Sequence, residues 1–70
     1  MRMTGLARLF AAYFILWRQK NPDCRNCEEL VRESYVSRKT IKKYFSSEVF
    51  LDYMKELNGG VPVDTEFQSW

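Results

Sequence analysis

The sequence contains no histidine and only two cysteines, Cys24 and Cys27. Without histidine, the usual general base and the Ser-His and Cys-His nucleophile pairs are absent. A mononuclear zinc site normally needs more ligands than two cysteines supply. No phosphate-binding loop or nucleophile elbow is present either. We therefore expect neither an enzyme nor a protein that carries a cofactor.

The two cysteines form an isolated C-x-x-C pair at the start of a predicted helix. Three interpretations remain open for Cys24 and Cys27. The first is a pair of reduced thiols. The second is a redox-sensitive pair, since a helix N-terminus lowers the pKa of a thiol. The third is a zinc site to which two copies of the chain each contribute two thiolates. A thioredoxin-like redox enzyme is not expected, because it would need a strand before the pair.

The sequence also lacks a segment that would span a membrane. The apolar run from Leu6 to Trp17 is too short for a bilayer, and no small-residue cleavage site of a secretion signal follows it. We therefore expect a cytoplasmic protein with no membrane partner. The 70 residues are 46% apolar and 16% aromatic, enough for one compact domain. We expect this domain to comprise residues 1–60, followed by a tail of residues 61–70.

Hydrophobic spacing and capping residues predict four helices. Thr4, Asn26 and Ser37 are the expected N-caps of the first three helices, and Ser46 and Ser47 break the third and cap the fourth. The tail begins Val-Pro-Val and alternates weakly, which indicates an extended segment. The prediction is an all-α fold, a small three- to four-helix bundle containing a helix-turn-helix, with a short extended C-terminal tail. The predicted helices end near Lys20, Ser34, Phe45 and Leu57.

The first predicted helix is apolar almost all round, and such helices are buried on more than one side. The stripe expected to close the core is Leu6, Leu9, Phe10, Tyr13, Leu16 and Trp17. A second stripe is Ala7, Ala11, Phe14 and Ile15. Either the tail folds over this second stripe, or the stripe is a self-association surface. Phe67 and Trp70 in the tail would dock on this chain or on a partner, because large aromatic side chains are costly to expose. The predicted dimer or partner surface is Ala7, Ala11, Phe14, Ile15, Phe67 and Trp70.

Positive charge is concentrated in the third predicted helix, although the net charge of the whole chain is only +2. The segment from Ser37 to Lys43 holds four cations and no acid. Such a segment is often only a solvated helix face, and that alternative stays open. In a helix-turn-helix, the start of the second helix reaches base edges and other donors grip phosphates. The predicted base contacts are Ser37, Arg38, Lys39 and Thr40. The predicted phosphate contacts are Lys42, Lys43, Tyr44, Ser46 and Ser47.

A pattern of small, aliphatic and aromatic residues runs through and beyond this helix, at Val36, Ser37, Thr40, Ile41, Tyr44, Phe45, Ser47 and Leu51. At these positions the chain resembles the DNA-binding N-terminal domain of TetR-type transcriptional repressors, and the resemblance covers roughly residues 6 to 55. Tyr35 stands at the turn position that is usually glycine, and Lys39 and Lys42 also depart from the pattern. We expect no counterpart of the ligand-binding and dimerisation domain of that family. The resemblance implies a DNA-binding protein without a small-molecule sensor.

These observations predict a small sequence-specific double-stranded DNA-binding protein, a transcriptional regulator that acts as a homodimer with residues 37–45 in the major groove. Two copies are expected because a single recognition helix buries too little surface for tight, specific binding. The alternative is a protein-binding adaptor or inhibitor that uses the apolar first helix and the aromatic tail.

Overall fold

The computed structural model describes residues 2–68 and 70, and this part of the chain forms four α-helices without a strand. The predicted all-α fold is therefore confirmed. Within the described residues, no helix is long and apolar enough to cross a membrane. The helices are α1 (Gly5–Lys20), α2 (Cys27–Ser34), α3 (Arg38–Phe45) and α4 (Glu48–Leu57).

Each helix begins at a polar side chain that accepts a hydrogen bond from the first turn. These acceptors satisfy backbone N–H groups that have no partner within the helix, and each such cap contributes about 1 kcal/mol. This is why the helix starts follow so closely from the sequence. The caps are Thr4, Asn26, Ser37 and Ser47, with donor–acceptor distances from 3.0 to 3.4 Å.

Aromatic rings from α1, α3 and α4 form the centre of the core. The Phe10 ring lies 5.5 Å from Tyr44 and 6.2 Å from Phe50, measured between centroids. Phe14 lies 4.8 Å from Phe45. Burial of such large side chains is the main driving force for folding a chain of this size. The other buried apolar residues are Ala7, Ala11, Trp17, Cys27, Leu30, Ile41 and Met54.

The buried face of α1 differs from the predicted one. Ala7, Ala11 and Phe14 are almost completely buried, so the prediction that they form a dimer surface is wrong. The small alanines leave room for neighbouring side chains to pack closely against the helix. Conversely, three leucines predicted to lie in the core are exposed. They are Leu6, Leu9 and Leu16, with 60%, 70% and 60% of their surface exposed.

The tail folds back over α1, which was one of the two outcomes expected for it. The Phe67 ring lies 6.3 Å from Phe14 and 6.2 Å from Phe45. The Trp70 ring meets Phe45 edge-on at 5.7 Å. Both tail aromatics are half-buried, so neither is a free partner surface. Ile15, also predicted to contact a partner, is half-buried too and lines a small depression beside the tail.

Arg25 binds the tail to the loop between α1 and α2. Its guanidinium pairs with the Asp64 carboxylate at 2.6 Å and donates to the Glu66 carbonyl at 3.0 Å. Its own carbonyl accepts the Gln68 backbone N–H at 2.8 Å. The tail is thus attached by backbone and side-chain bonds as well as by its aromatic rings.

Arg18 is the one charged residue that is buried in the described part of the chain. Its guanidinium donates to the carbonyls of Asn21, Cys24 and Asp64 at 2.8 to 3.1 Å. It also lies 4.9 Å from the centroid of the Phe67 ring. Burial lowers the pKa of Arg18, yet an arginine stays protonated in proteins. Arg18 therefore joins the end of α1, the following loop and the tail at one point.

Candidate nucleic-acid interface

The connection between α2 and α3 is a three-residue turn that opens with a left-handed residue. Tyr35 has φ 59° and ψ 23°, and its N–H donates to the Val31 carbonyl at 3.1 Å. Residues other than glycine rarely adopt this conformation, because it costs a residue with a Cβ roughly 1–2 kcal/mol. The turn therefore has the backbone expected of a glycine position, although a tyrosine occupies it. The ring does not offset this cost by burial, since Tyr35 is 95% exposed.

The third helix has one apolar side and one basic side. Ile41 is fully buried, and Tyr44 and Phe45 follow it at three and four positions on the same side. The opposite side repeats the same spacing with positive charge, because residues three and four apart share a helix face. Its members are the exposed residues Lys39, Lys42 and Lys43.

No acidic residue interrupts this basic side. The sequence has no carboxylate between Glu33 and Glu48. Among the residues that the structure describes, none of the three lysines takes part in an ion pair. Three uncompensated ammonium groups on one face give a locally positive surface within a nearly neutral protein.

Arg38, which was predicted to read a guanine, is turned away from the lysine face. Its guanidinium pairs with the Glu28 carboxylate of α2. It also donates to the Trp70 carbonyl at 3.3 Å. Arg38 would have to leave both partners before it contacted a base.

The hydroxyls of Ser37 and Thr40, also predicted to contact bases, bond to each other. The Ser37 Oγ donates to the Thr40 Oγ1 at 2.9 Å and accepts the Thr40 backbone N–H at 3.2 Å. Both side chains thus form the cap of α3. Of the four predicted base contacts, Lys39 has the exposed and unpaired side chain among the described residues.

Two of the predicted phosphate contacts, Lys42 and Lys43, lie on the basic side, whereas the other three are engaged elsewhere. Tyr44 is only 6% exposed, and its ring stacks on Phe50 at 5.0 Å, so its prediction as a phosphate contact is wrong. The Ser46 hydroxyl donates to the Lys42 carbonyl at 2.8 Å. The Ser47 hydroxyl caps α4.

The backbone N–H groups of the two serines are also occupied. The Ser46 N–H donates to the carbonyls of Lys42 and Lys43, and the Ser47 N–H donates to that of Tyr44. These bonds close the last turn of α3. The candidate interface is therefore limited chiefly to lysine side chains, without the backbone donors that the sequence suggested.

The two cysteines are free thiols with different surroundings. Cys27 is completely buried, and Cys24 is half-buried with its Sγ 3.7 Å from the Asn26 carbonyl. A zinc site shared by two copies would need both thiolates at the surface. The burial of Cys27 is incompatible with such a site. Within the described residues, no three His, Cys, Asp or Glu side chains lie together in a metal-binding group.

Sequence reasoning missed one surface, the outward face of α1. Leu6, Leu9 and Leu16 were assigned to the core and are exposed instead. The alanines could have indicated the buried face of α1. Ala7 and Ala11 share a face with Phe14, and small residues beside a large ring are typical of a tightly packed helix face.

In comparisons with known protein families, curated proteins and solved structures, the chain has no match.

Proposed function

We propose that this chain is a small sequence-specific double-stranded DNA-binding protein, a transcriptional regulator that acts as a homodimer with residues 37–45 in the major groove. The observation that carries the proposal is the basic side of α3. Lys39, Lys42 and Lys43 face outward together from a helix that follows a tight turn, with no acid between Glu33 and Glu48 in the sequence. This is the arrangement in which a helix-turn-helix presents its second helix to DNA.

The three lysines have different roles in the proposal. Lys39 is the second residue of α3, at the end of the helix that enters the groove, and its ammonium is suited to the O6 and N7 acceptors of guanine. Lys42 and Lys43 lie one turn further along and bind phosphates on the walls of the groove. Arg38 joins the contacts if DNA replaces Glu28 as its partner, since a phosphate or a guanine offers the same fork of acceptors.

Fluorescence anisotropy with a random-sequence DNA duplex at low salt tests the proposal. The wild-type chain should bind, and Lys43→Gln should weaken binding to every sequence. The matched control is Lys55→Gln, which removes the same charge from the exposed surface of α4 and should leave binding unchanged. Selection from a duplex library should then give a different base preference for Lys39→Gln than for the wild type. Absence of binding at low salt would overturn the proposal.

The alternative function, a protein-binding adaptor or inhibitor, retains one supporting observation. The exposed leucines of α1 form a surface that such a protein would use. The tail no longer supports this function, because Phe67 and Trp70 pack against Phe45 of the same chain. If the chain is an adaptor, it should form a stable complex with another protein, and this complex should persist when the lysines of α3 are replaced.

A further inference from the structure

The outward side of α1 carries an apolar surface that the rest of the described chain leaves uncovered. We call it the leucine face, and it consists of Leu6, Leu9, Ala12, Tyr13 and Leu16. The three leucines expose 60% to 70% of their surface, Ala12 is exposed and Tyr13 is half-buried. No member is charged. Burial raises the pKa of Tyr13, with Glu33 adding to the effect, so the phenol is neutral as well.

The spacing of the leucine face is that of a helix–helix seam. Leu6, Leu9, Tyr13 and Leu16 follow one another at intervals of three, four and three residues. This is the alternation of the a and d positions in a two-stranded coiled coil, where apolar side chains meet those of a second helix. The two helices of such a pair can present the same a and d spacing, so a second copy of this helix is a suitable partner.

The surface beside the seam can receive side chains from such a helix. Two open depressions flank Tyr13, with volumes of about 230 and 200 Å³. The first is bordered by Leu6, Leu9 and Val36. The second is bordered by Leu16 and Trp17 together with Lys20, Asn21 and Glu33. The first depression is therefore the mainly apolar hole beside Tyr13 into which a leucine of the facing helix would insert.

We infer that the leucine face is the contact between two copies of this chain. A two-fold interface requires one patch that complements itself, and an uncharged stripe with the seam spacing meets this requirement. Two cations lie at the margins, where Arg8 rests over the Tyr53 ring at 5.9 Å and Lys20 ends the helix, and Glu33 of α2 borders the depression beside Leu16. In an antiparallel pair these two cations lie near opposite ends of the seam and do not oppose their own copies.

The exposed area indicates how strong this contact is. The three leucines are 60% to 70% exposed, so the leucine face is comparable to the largest apolar patch on a typical monomer, roughly 300–600 Å². A standard stable interface uses about 800 Å² a side. The dimer is therefore weak and forms with rising concentration. Two half-sites on one DNA duplex raise the effective concentration of the second copy and so stabilise it.

This inference deepens the proposed function and rests on it for the identity of the occupant. A dimer needs its recognition helices about 34 Å apart to reach successive major grooves. The described chain measures 24 × 22 × 17 Å between Cα extremes. The longest dimensions of two copies, 24 Å each, add up to about 48 Å, which exceeds this separation.

Sedimentation velocity over a wide range of protein concentration tests the inference without DNA. The mass of the wild type should rise from monomer towards dimer, and Leu9→Glu should remain monomeric throughout. Leu57→Glu is the matched control, because Leu57 is an exposed leucine of α4 outside the face. It should dimerise like the wild type. A wild type that stays monomeric at every concentration, or a Leu9→Glu variant that still dimerises, would overturn the inference.

Two further measurements separate a failed interface from a failed fold or a failed function. Thermal unfolding followed by circular dichroism should give Leu9→Glu the same midpoint as the monomeric wild type. If Leu9→Glu does not fold, the Leu16→Glu variant is used in its place. DNA binding is then measured on the same proteins. Dimerisation without DNA binding supports the interface and refutes the proposed function. DNA binding by a chain that is monomeric with and without DNA refutes the interface and the homodimer, and supports only DNA binding by α3. Monomers that instead complex with an unrelated protein through Leu9 overturn the two-copy interface.

Discussion

Replacement of Tyr35 by glycine should stabilise this protein, although glycine usually destabilises. Tyr35 has φ 59°, in the region that costs a residue with a Cβ roughly 1–2 kcal/mol. Glycine removes this cost but gives the unfolded chain extra freedom, which offsets about 0.4–1 kcal/mol. Loss of the ring costs little, because Tyr35 is 95% exposed. The net gain is about 0.5–1 kcal/mol, or a rise in thermal midpoint of roughly 2–8 °C for a chain of this length.

Two further substitutions at Tyr35 isolate the backbone as the cause. Asparagine tolerates the left-handed region without the added freedom of glycine, so Tyr35→Asn should also raise the midpoint. Alanine keeps the Cβ and removes the ring, so Tyr35→Ala should lie within about 0.5 kcal/mol of the wild type. Thermal unfolding followed by circular dichroism compares all three. A lower midpoint for Tyr35→Gly, or an equal gain for Tyr35→Ala, would refute the reasoning.

Two predictions concern how the tail is held. Arg18→Met should lower the free energy of unfolding in urea by about 2–4 kcal/mol, because three carbonyls lose a charged donor. Arg18→Lys should not restore the lost stability, since an ammonium lacks the planar fork of a guanidinium. An unchanged free energy of unfolding for either variant would contradict the role of Arg18. The Glu66 N–H and the Arg25 guanidinium lower the pKa of Asp64. The ionised carboxylate thus stabilises the fold fully above its ordinary pKa of about 3.9, and this contribution disappears as pH falls through the lowered value. Asp64→Asn should therefore be less stable than the wild type at neutral pH and equal to it in strong acid; a difference that persists in acid would count against this cause.

The helix limits were predictable from the sequence because local interactions determine them. Thr4, Ser37 and Ser47 each precede an amphipathic segment and cap it through atoms a few residues away. The same holds for the turn, where the resemblance assigned a glycine position to Tyr35 and the backbone is left-handed there. Interactions between residues within about one helical turn can be predicted from the order of residues alone.

The buried face of α1 and the partners of Arg38 were not predictable in this way. Hydrophobic periodicity identifies an apolar side only where the other side is polar, and α1 is apolar on nearly every side. The packing of α3 and α4 on Phe10 and Phe14, together with Phe67 from the far end of the chain, decides which stripe is covered. Likewise, Arg38 pairs with Glu28 on another helix and with the Trp70 carbonyl. Such contacts join residues distant in sequence, and a helical wheel contains no information about them.

The basic side of α3 is tested most directly by the salt dependence of DNA binding. Lys42 and Lys43 on each of two copies neutralise about four phosphates, so log K should fall with log salt at a slope of about −3.6. Between roughly 50 and 200 mM salt, affinity should drop about a hundredfold. The triple substitution of Lys39, Lys42 and Lys43 by glutamine should reduce the slope to near zero, while Lys55→Gln leaves it unchanged. A slope that is the same with and without the three lysines would contradict the proposal that α3 binds DNA.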